Sequence, residues 1–206
     1  MRKDNKGYSL LELIVVISIM AVIVSIVAVQ FVKYIERSRR AKDITNADRI
    51  ASVIQAAFAS DPDAYDAYLN YGNSTVKQTF TATVDGVTET YDAYLVMVNE
   101  KNKNYCFGGG MDEFKDKGGK PGLYTKLNNE LGLTATGDNS FINPKAKVKK
   151  SGKSQINRDY GEVCCWRILK RVDNGQMEIW AADSVAWGGW PVYRVWPVPD
   201  DVYTKN

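Results

Sequence analysis

The chain has 206 residues, 45% hydrophobic and 25% charged, which suffices for one domain with a proper core plus an appendage. A net charge of +3 is too small by itself to imply a nucleic-acid partner, and three cysteines are too few for a disulfide scaffold. The sequence contains no histidine, which excludes a Ser-His-Asp triad, a Cys-His pair and every His-ligated metal site.

In chain order, a short head, Met1 to Gly7, carries Arg2, Lys3 and Lys6 against Asp4. From Leu13 to Val32 about 20 residues pass without a charge, the length of helix that crosses a bilayer. A secretory signal peptide would have a shorter apolar run with a small-x-small site after it. The nearest such site, Ile26-Val27-Ala28, still lies inside the run, so a membrane span fits better. Lys33, Arg37, Arg39, Arg40 and Lys42 follow, offset by Glu36 and Asp43. Basic residues thus flank both ends, and the positive-inside rule does not orient the segment. The cluster Arg37-Ser38-Arg39-Arg40 suits interfacial anchoring at headgroups or pairing with acidic residues of a neighbouring subunit. Within the span, Ser18, Ala21, Ser25 and Ala28 recur at intervals of three, four and three, a seam of small residues that lets helices approach closely. Glu12 stands at the start of this apolar segment, where a carboxylate costs about 2.5–3.5 kcal/mol at the bilayer centre and less near the interface. It sits either at headgroup level or opposite a cation. Lys6 is one candidate cation, and a free amine made by cleavage before Tyr8 is another.

The stretch Gly7-Tyr8-Ser9-Leu10-Leu11-Glu12-Leu13, after its short basic leader, resembles the class III signal of type IV prepilins and pseudopilins. That motif is a glycine, an aromatic, a small hydroxyl residue, two aliphatics, then glutamate and an apolar helix. Tyr8 stands where phenylalanine is usual. The resemblance covers about 25 residues and is specific because order, spacing and context agree. It implies cleavage after Gly7 by the prepilin peptidase, N-methylation of Tyr8, and a role for Glu12 in docking each subunit into a filament. It also implies a structural, non-catalytic subunit that assembles with itself and other pilins, driven by an assembly platform and its ATPase. The expected location is the cytoplasmic membrane, single-pass with an extracytoplasmic head, and then a filament on the cell surface. A pseudopilin of a type II secretion or competence system shares the same N-terminus. A membrane-anchored surface binding protein that never polymerises is the alternative outside the class. If the amine forms, it lies one helical turn from Glu12, and the pair is favourable across subunits chiefly because either desolvated charge alone is worse.

No glycine or proline occurs from Tyr8 to Ser60, and Pro62 then ends the run. The pattern predicts a helix over 8–60, transmembrane at about 13–32 and an amphipathic stalk over 33–60, with a length of about 80 Å. In the stalk, Ile44, Ala47, Ala51, Ile54 and Phe58 form the apolar stripe, and Asp43, Asp48 and Arg49 are expected off it. The head spans 61–206. Residues 61–78 read as a loop or short helix. Phe80 to Tyr91 reads as a β-hairpin about Asp85-Gly86, and Tyr94 to Val98 as a strand or buried helix. Gly122 to Leu131 reads as a brief helix closed by Gly132. Val163 to Ala181 reads as two strands about the turn Asp173-Asn174-Gly175, and Val192 to Val198 as a third, ending at Pro197 and Pro199. The predicted fold class is α+β, a long N-terminal helix packed on an antiparallel sheet, which the pilin resemblance also implies.

All five tryptophans, Trp166, Trp180, Trp187, Trp190 and Trp196, lie in the last quarter and read first as core, with Trp187-Gly188-Gly189-Trp190 a candidate aromatic platform for a glycan or partner pilin. Cys106 pairs with Cys164 or Cys165 in an oxidising compartment, or the three thiolates hold zinc with a carboxylate, or all stay as thiols. Cys164, on the face of Trp166 and Ile168, is expected to be the more buried of the adjacent pair. Lys145, Lys147, Lys149, Lys150, Lys153 and Arg158 form a basic stretch that reads as a solvated loop or as a grip on DNA or another anionic surface. No cofactor is otherwise expected. Asp112-Glu113 and Asp200-Asp201 are weak calcium candidates without a calcium-loop motif.

Overall fold

The structure, a computed structural model, describes residues 9–70, 79–84, 86–94, 116, 118–134, 141–147, 163–183 and 191–204. The side chains of Ala93, Tyr94, Cys164 and Asp183 fall outside that description. The chain divides into two compact units, Met1–Ser38 and Arg39–Asn206. Helix α1, Leu10–Ser60, runs through 51 residues without a glycine or proline, the residues that most oppose a helix interior.

In the first unit the apolar side chains of α1 from Leu10 to Val32 are exposed. The helix is long and apolar enough to cross a membrane. In the second unit α1 turns amphipathic. Ala47, Ile50, Ala51, Ile54 and Ala57 are buried, and Ile44 and Phe58 pack half-buried beside them.

The expectation for Asp43 is wrong: it is fully buried on the packed face rather than off it. Its two carboxylate oxygens accept the backbone N–H groups of Lys145 and Ala146, each at 2.8 Å. An apolar-stripe count sees only side-chain polarity and misses a carboxylate buried to serve backbone donors. Asp48 and Arg49 are exposed, as read.

α1 stops where Asp61 begins a new helix. Asp61 Oδ1 accepts the Ala64 N–H at 3.2 Å, and Pro62 occupies the first position of α2, Pro62–Leu69, where its missing donor is no loss. α3, Leu123–Leu131, ends in a Schellman motif. Gly132 adopts φ +70, its N–H reaches Asn129 O, and Leu133 N–H reaches Asn128 O. A side chain there would be strained in the left-handed region.

Among the described residues one antiparallel sheet has the order β1-β2-β3-β4-β5. The strands are β1 Thr79–Val84, β2 Val87–Tyr94, β3 Val163–Arg171, β4 Met177–Asp183 and β5 Pro191–Trp196. Both hairpins lie where the turn residues place them, and β5 is shorter than Val192 to Val198. A last short helix, α4, covers Asp201–Thr204. Residues 95–98 lie outside the description.

Alternation assigns the two faces of the sheet. Trp166, Ile168, Met177, Ile179, Ala181 and Val195 join the α1 residues in the main core. Phe80, Ala82, Val84, Tyr91, Leu169 and Trp180 form a second cluster on the opposite face. Tyr91 and Trp180 meet edge to face with centroids 5.5 Å apart, and Phe80 stacks on Tyr91 at 5.2 Å. This is the α+β architecture expected.

Asp43 generates a stability prediction. Asp43→Ala leaves two backbone donors without their acceptor and should lower the unfolding free energy of the second unit by about 2–4 kcal/mol. Asp43→Asn should cost less because one oxygen remains. Urea unfolding followed by tryptophan fluorescence measures both, since Trp166 Nε1 donates to Ile142 O on the same loop at 2.6 Å.

A second prediction concerns pH. Asp61 Oδ2 accepts from Lys126 Nζ of α3 at 2.8 Å. That hydrogen bond is the main cause holding the Asp61 carboxyl below its ordinary 3.8; burial opposes it, and the Ala64 N–H assists. A depressed folded-state pKa gives stability that is present above the unfolded value and lost as pH falls through the folded one. Lys126→Met should therefore flatten the dependence of stability on pH below 3.8 and leave the neutral-pH slope alone. Thermal melts from acid to neutral pH read this directly.

Candidate functional site

The N-terminus of α1 is built by a reciprocal pair. Ser9 precedes the first helical residue, and its Oγ accepts the Glu12 N–H at 3.2 Å. Glu12 Oε2 accepts the Ser9 N–H at 2.8 Å in return. This is a capping box: a hydroxyl and a carboxylate three residues apart satisfy donors that a helix start leaves open. The Glu12 carboxylate also lies where the helix dipole favours negative charge. The cap engages Oε2, and the carboxylate carries a second oxygen with its own acceptor capacity. Gly7 and Tyr8 lie outside the described residues, so the proposed cleavage bond and amine have no geometry here.

The small-residue seam lies on α1. Ser18 Oγ donates to Ile14 O at 2.8 Å and Ser25 Oγ to Val22 O at 2.7 Å. Each hydroxyl is thereby satisfied within its own helix and presents little unmet polarity to an apolar surrounding. Ala21 and Ala28 are exposed on the same stretch.

Among the described residues the remaining candidates lie on separate elements. Cys165 is fully buried on β3, and its Sγ lies 3.5 Å from Ala182 O as a weak donor. The face of β3 that carries Cys165 is buried; the expectation that Cys164 is the more buried lies outside the described residues. The backbone at Cys164 sits at a register shift between Val163 and Cys165. Cys106 and the Cys164 side chain lie outside the description, so their pairing and the zinc alternative do too. Among the described residues no group of three or more acidic or cysteine side chains is placed to hold a metal ion. Asp200 Oδ1 accepts the Val202 N–H at 3.2 Å at the start of α4, a local turn contact. Asp112-Glu113 is not described.

Of the basic stretch, Lys145 is half-buried and Lys147 exposed, on the loop that Asp43 holds; Lys149, Lys150, Lys153 and Arg158 lie outside the description, as do Trp187 and Trp190. Trp166 and Trp180 are core residues, and Trp196 packs half-buried against the main cluster. A groove of about 390 Å³ runs between α1 and α3, lined by Ser52, Val53, Ala56, Ala57 and Ser60 with Lys126 and Glu130 at its rim.

Sequence reasoning missed a buried polar set on the second sheet face. Glu178 is almost fully buried; it accepts from Trp180 Nε1 at 2.8 Å and stands 3.7 Å from the Arg194 guanidinium. Burial raises its pKa, while Trp180 and then Arg194 pull it back. Arg171 bridges Glu89 at 2.7 Å and Asp173 at 2.7 Å. The i, i+2 placement of Glu178 and Trp180 on one strand face was the available signal. The contacts named here join these groups to one another and to Trp180, and the arrangement reads as structural.

Residues 2–28 match the family model described as the prokaryotic N-terminal methylation motif. That motif is the signature of type IV pilin and pseudopilin precursors. No curated protein and no solved structure matches the chain.

The cap itself is testable apart from any assembly. Ser9→Ala should destabilise the first turn of α1 by about 0.5–2 kcal/mol. Faster amide hydrogen exchange over residues 12–14, with the second unit unchanged, is the expected reading in detergent micelles.

Proposed function

We propose that this chain, which carries the type IV pilin and pseudopilin signature at its N-terminus, is the structural subunit of a type IV pilus-like filament. The observation that carries the reading is Glu12. It lies inside the matched motif, at the start of an apolar helix whose side chains are exposed from Leu10 to Val32. Prepilin peptidase would cut after Gly7 and the new Tyr8 amine would be methylated. The amine would then meet the second carboxylate oxygen of Glu12 on a neighbouring subunit, while the first keeps the helix capped. Assembly with the same chain and other pilins would bury the exposed apolar face, with Ser18, Ala21, Ser25 and Ala28 as the close-packing seam. Proteins with this signature act as structural subunits, and no catalytic step is assigned to this one.

A pseudopilin of a secretion or competence system uses the same N-terminal chemistry and differs in filament length. The basic residues Lys145, Lys147, Lys149, Lys150, Lys153 and Arg158 would serve contact with DNA or another anionic surface in either case.

Two substitutions separate processing from docking. Gly7→Ala should leave an unprocessed precursor on immunoblots and no surface filament. Glu12→Gln retains an acceptor for the Ser9 N–H and removes the charge, so processing should persist while sheared filaments fall at least tenfold. Processed Glu12→Gln protein that assembles at the normal level would overturn the docking role. Processing that survives Gly7→Ala would overturn the precursor reading.

A further inference from the structure

The two edges of the sheet are built differently. β5 begins at Pro191, meets Pro197 at its end, carries Arg194, and pairs with β4 through register shifts at Ile179/Trp180 and Ala181/Ala182. Proline, charge and irregular pairing are the devices that keep an edge from recruiting another strand. β1, Thr79-Phe80-Thr81-Ala82-Thr83-Val84, has no proline and no charge, and its register against β2 is unbroken. Among the described residues no strand adjoins its outer side.

The register fixes which backbone groups point outward. Val84 and Val87 flank the two-residue turn and form a hydrogen-bonded pair, so Ala82 with Glu89 and Phe80 with Tyr91 are hydrogen-bonded pairs too. Thr79, Thr81 and Thr83 therefore direct their N–H and C=O groups away from β2. Two contacts agree. Thr90, opposite Thr81, accepts from Val172 N–H at 3.0 Å on its other side. The hydroxyls of Thr83 and Thr88 are 3.0 Å apart, the close side-chain approach of a pair that shares no backbone bonds. The side chains of the three threonines are exposed, while those of Phe80, Ala82 and Val84 are buried.

We infer that the β1 edge pairs antiparallel with the β1 edge of a second copy of this chain, centred on Thr81. The sequence is complementary to itself in this register. Thr81 faces Thr81, Thr79 faces Thr83, and every outward-facing backbone group meets another, giving about six interchain hydrogen bonds at two per hydrogen-bonded pair. Phe80 stands opposite Ala82, large against small, and extends the apolar cluster across the junction. A slip of one residue sets outward groups against groups already paired within each sheet. A slip of two residues in one direction sets Phe80 against Phe80, and in the other sets Thr79 against Asp85, past the end of β1. Threonine pairs across strands are favourable, and the uncharged strand brings no repulsion between copies. The contact uses the same surface on both chains, so it closes at two copies and joins two subunits without lengthening a filament. It stands whether or not the chain polymerises.

The test uses the full chain in detergent micelles with Thr81→Cys and dibromobimane, a short bis-thiol linker. The expected result is a crosslinked dimer several-fold above both the unsubstituted chain and Thr88→Cys, an exposed position on the inner strand. Adding Thr83→Lys to Thr81→Cys should return the yield to background with near-UV circular dichroism unchanged. Crosslinking of Thr81→Cys no greater than Thr88→Cys overturns the inference. So does a dimer that survives Thr83→Lys, which would place the contact elsewhere, or a ladder beyond two copies, which would indicate head-to-tail edge pairing.

Discussion

Ile50 and Ile54 of α1 pack with Trp166 and Ile179 of the sheet in one cluster, and the rest of the second unit is arranged around that contact. The neighbouring positions on the helix face are alanines, Ala47, Ala51 and Ala57, which let the helix backbone approach the strands. Each large apolar side chain so buried is worth about 1.5–3 kcal/mol. The polar residues beside this face then collect the irregular parts of the chain. Asp43 holds the loop at Lys145 and Ala146, Asn46 donates to Ile142 O at 3.2 Å, and Arg49 donates to Glu130 O at the end of α3. The helix therefore supplies both the apolar core and the acceptors and donors that connections need.

The second sheet face solves a different problem. Its aromatic cluster of Phe80, Tyr91 and Trp180 lies among charged residues that are themselves largely buried. Glu178 keeps its place because Trp180 and Arg194 both address its carboxylate. Across the sheet, on the helix side, Lys170 lies 3.7 Å from Asp92 and donates to Leu69 O at 2.7 Å, tying the sheet to α2. Pairs of this kind add little net stability over apolar replacements, but losing one partner strands the other. The pairs here link β2 with β3 and β4 with β5.

The first unit follows other rules. Among the described residues its apolar side chains from Leu10 to Val32 are exposed, on a helix long and apolar enough to cross a membrane. Ser9 and Glu12 close its N-terminus by themselves, and Ser18 and Ser25 turn their hydroxyls back onto the backbone. These four polar side chains are thus satisfied within their own helix. The cap engages Glu12 Oε2 and leaves the acceptor capacity of the other carboxylate oxygen to spare.

Periodicity and punctuation in the sequence were enough for the elements. The absence of glycine and proline up to Ser60 marked α1, Asp85-Gly86 and Asp173-Asn174-Gly175 marked the hairpins, Gly132 marked the end of α3, and the spacing of residues 7–13 marked the N-terminal motif. These signals are local: each depends on backbone preferences within a few residues. Tertiary structure decided what local signals do not carry. Asp43 is buried because its acceptors meet a loop about a hundred residues away, and Cys165 is buried because both sheet faces are covered. The pairing of β2 with β3, and so the place of β1 at an edge of the described sheet, likewise joins segments far apart in the chain. Burial and strand order arise from which surfaces meet, and a side chain's own polarity does not reveal what will stand opposite it.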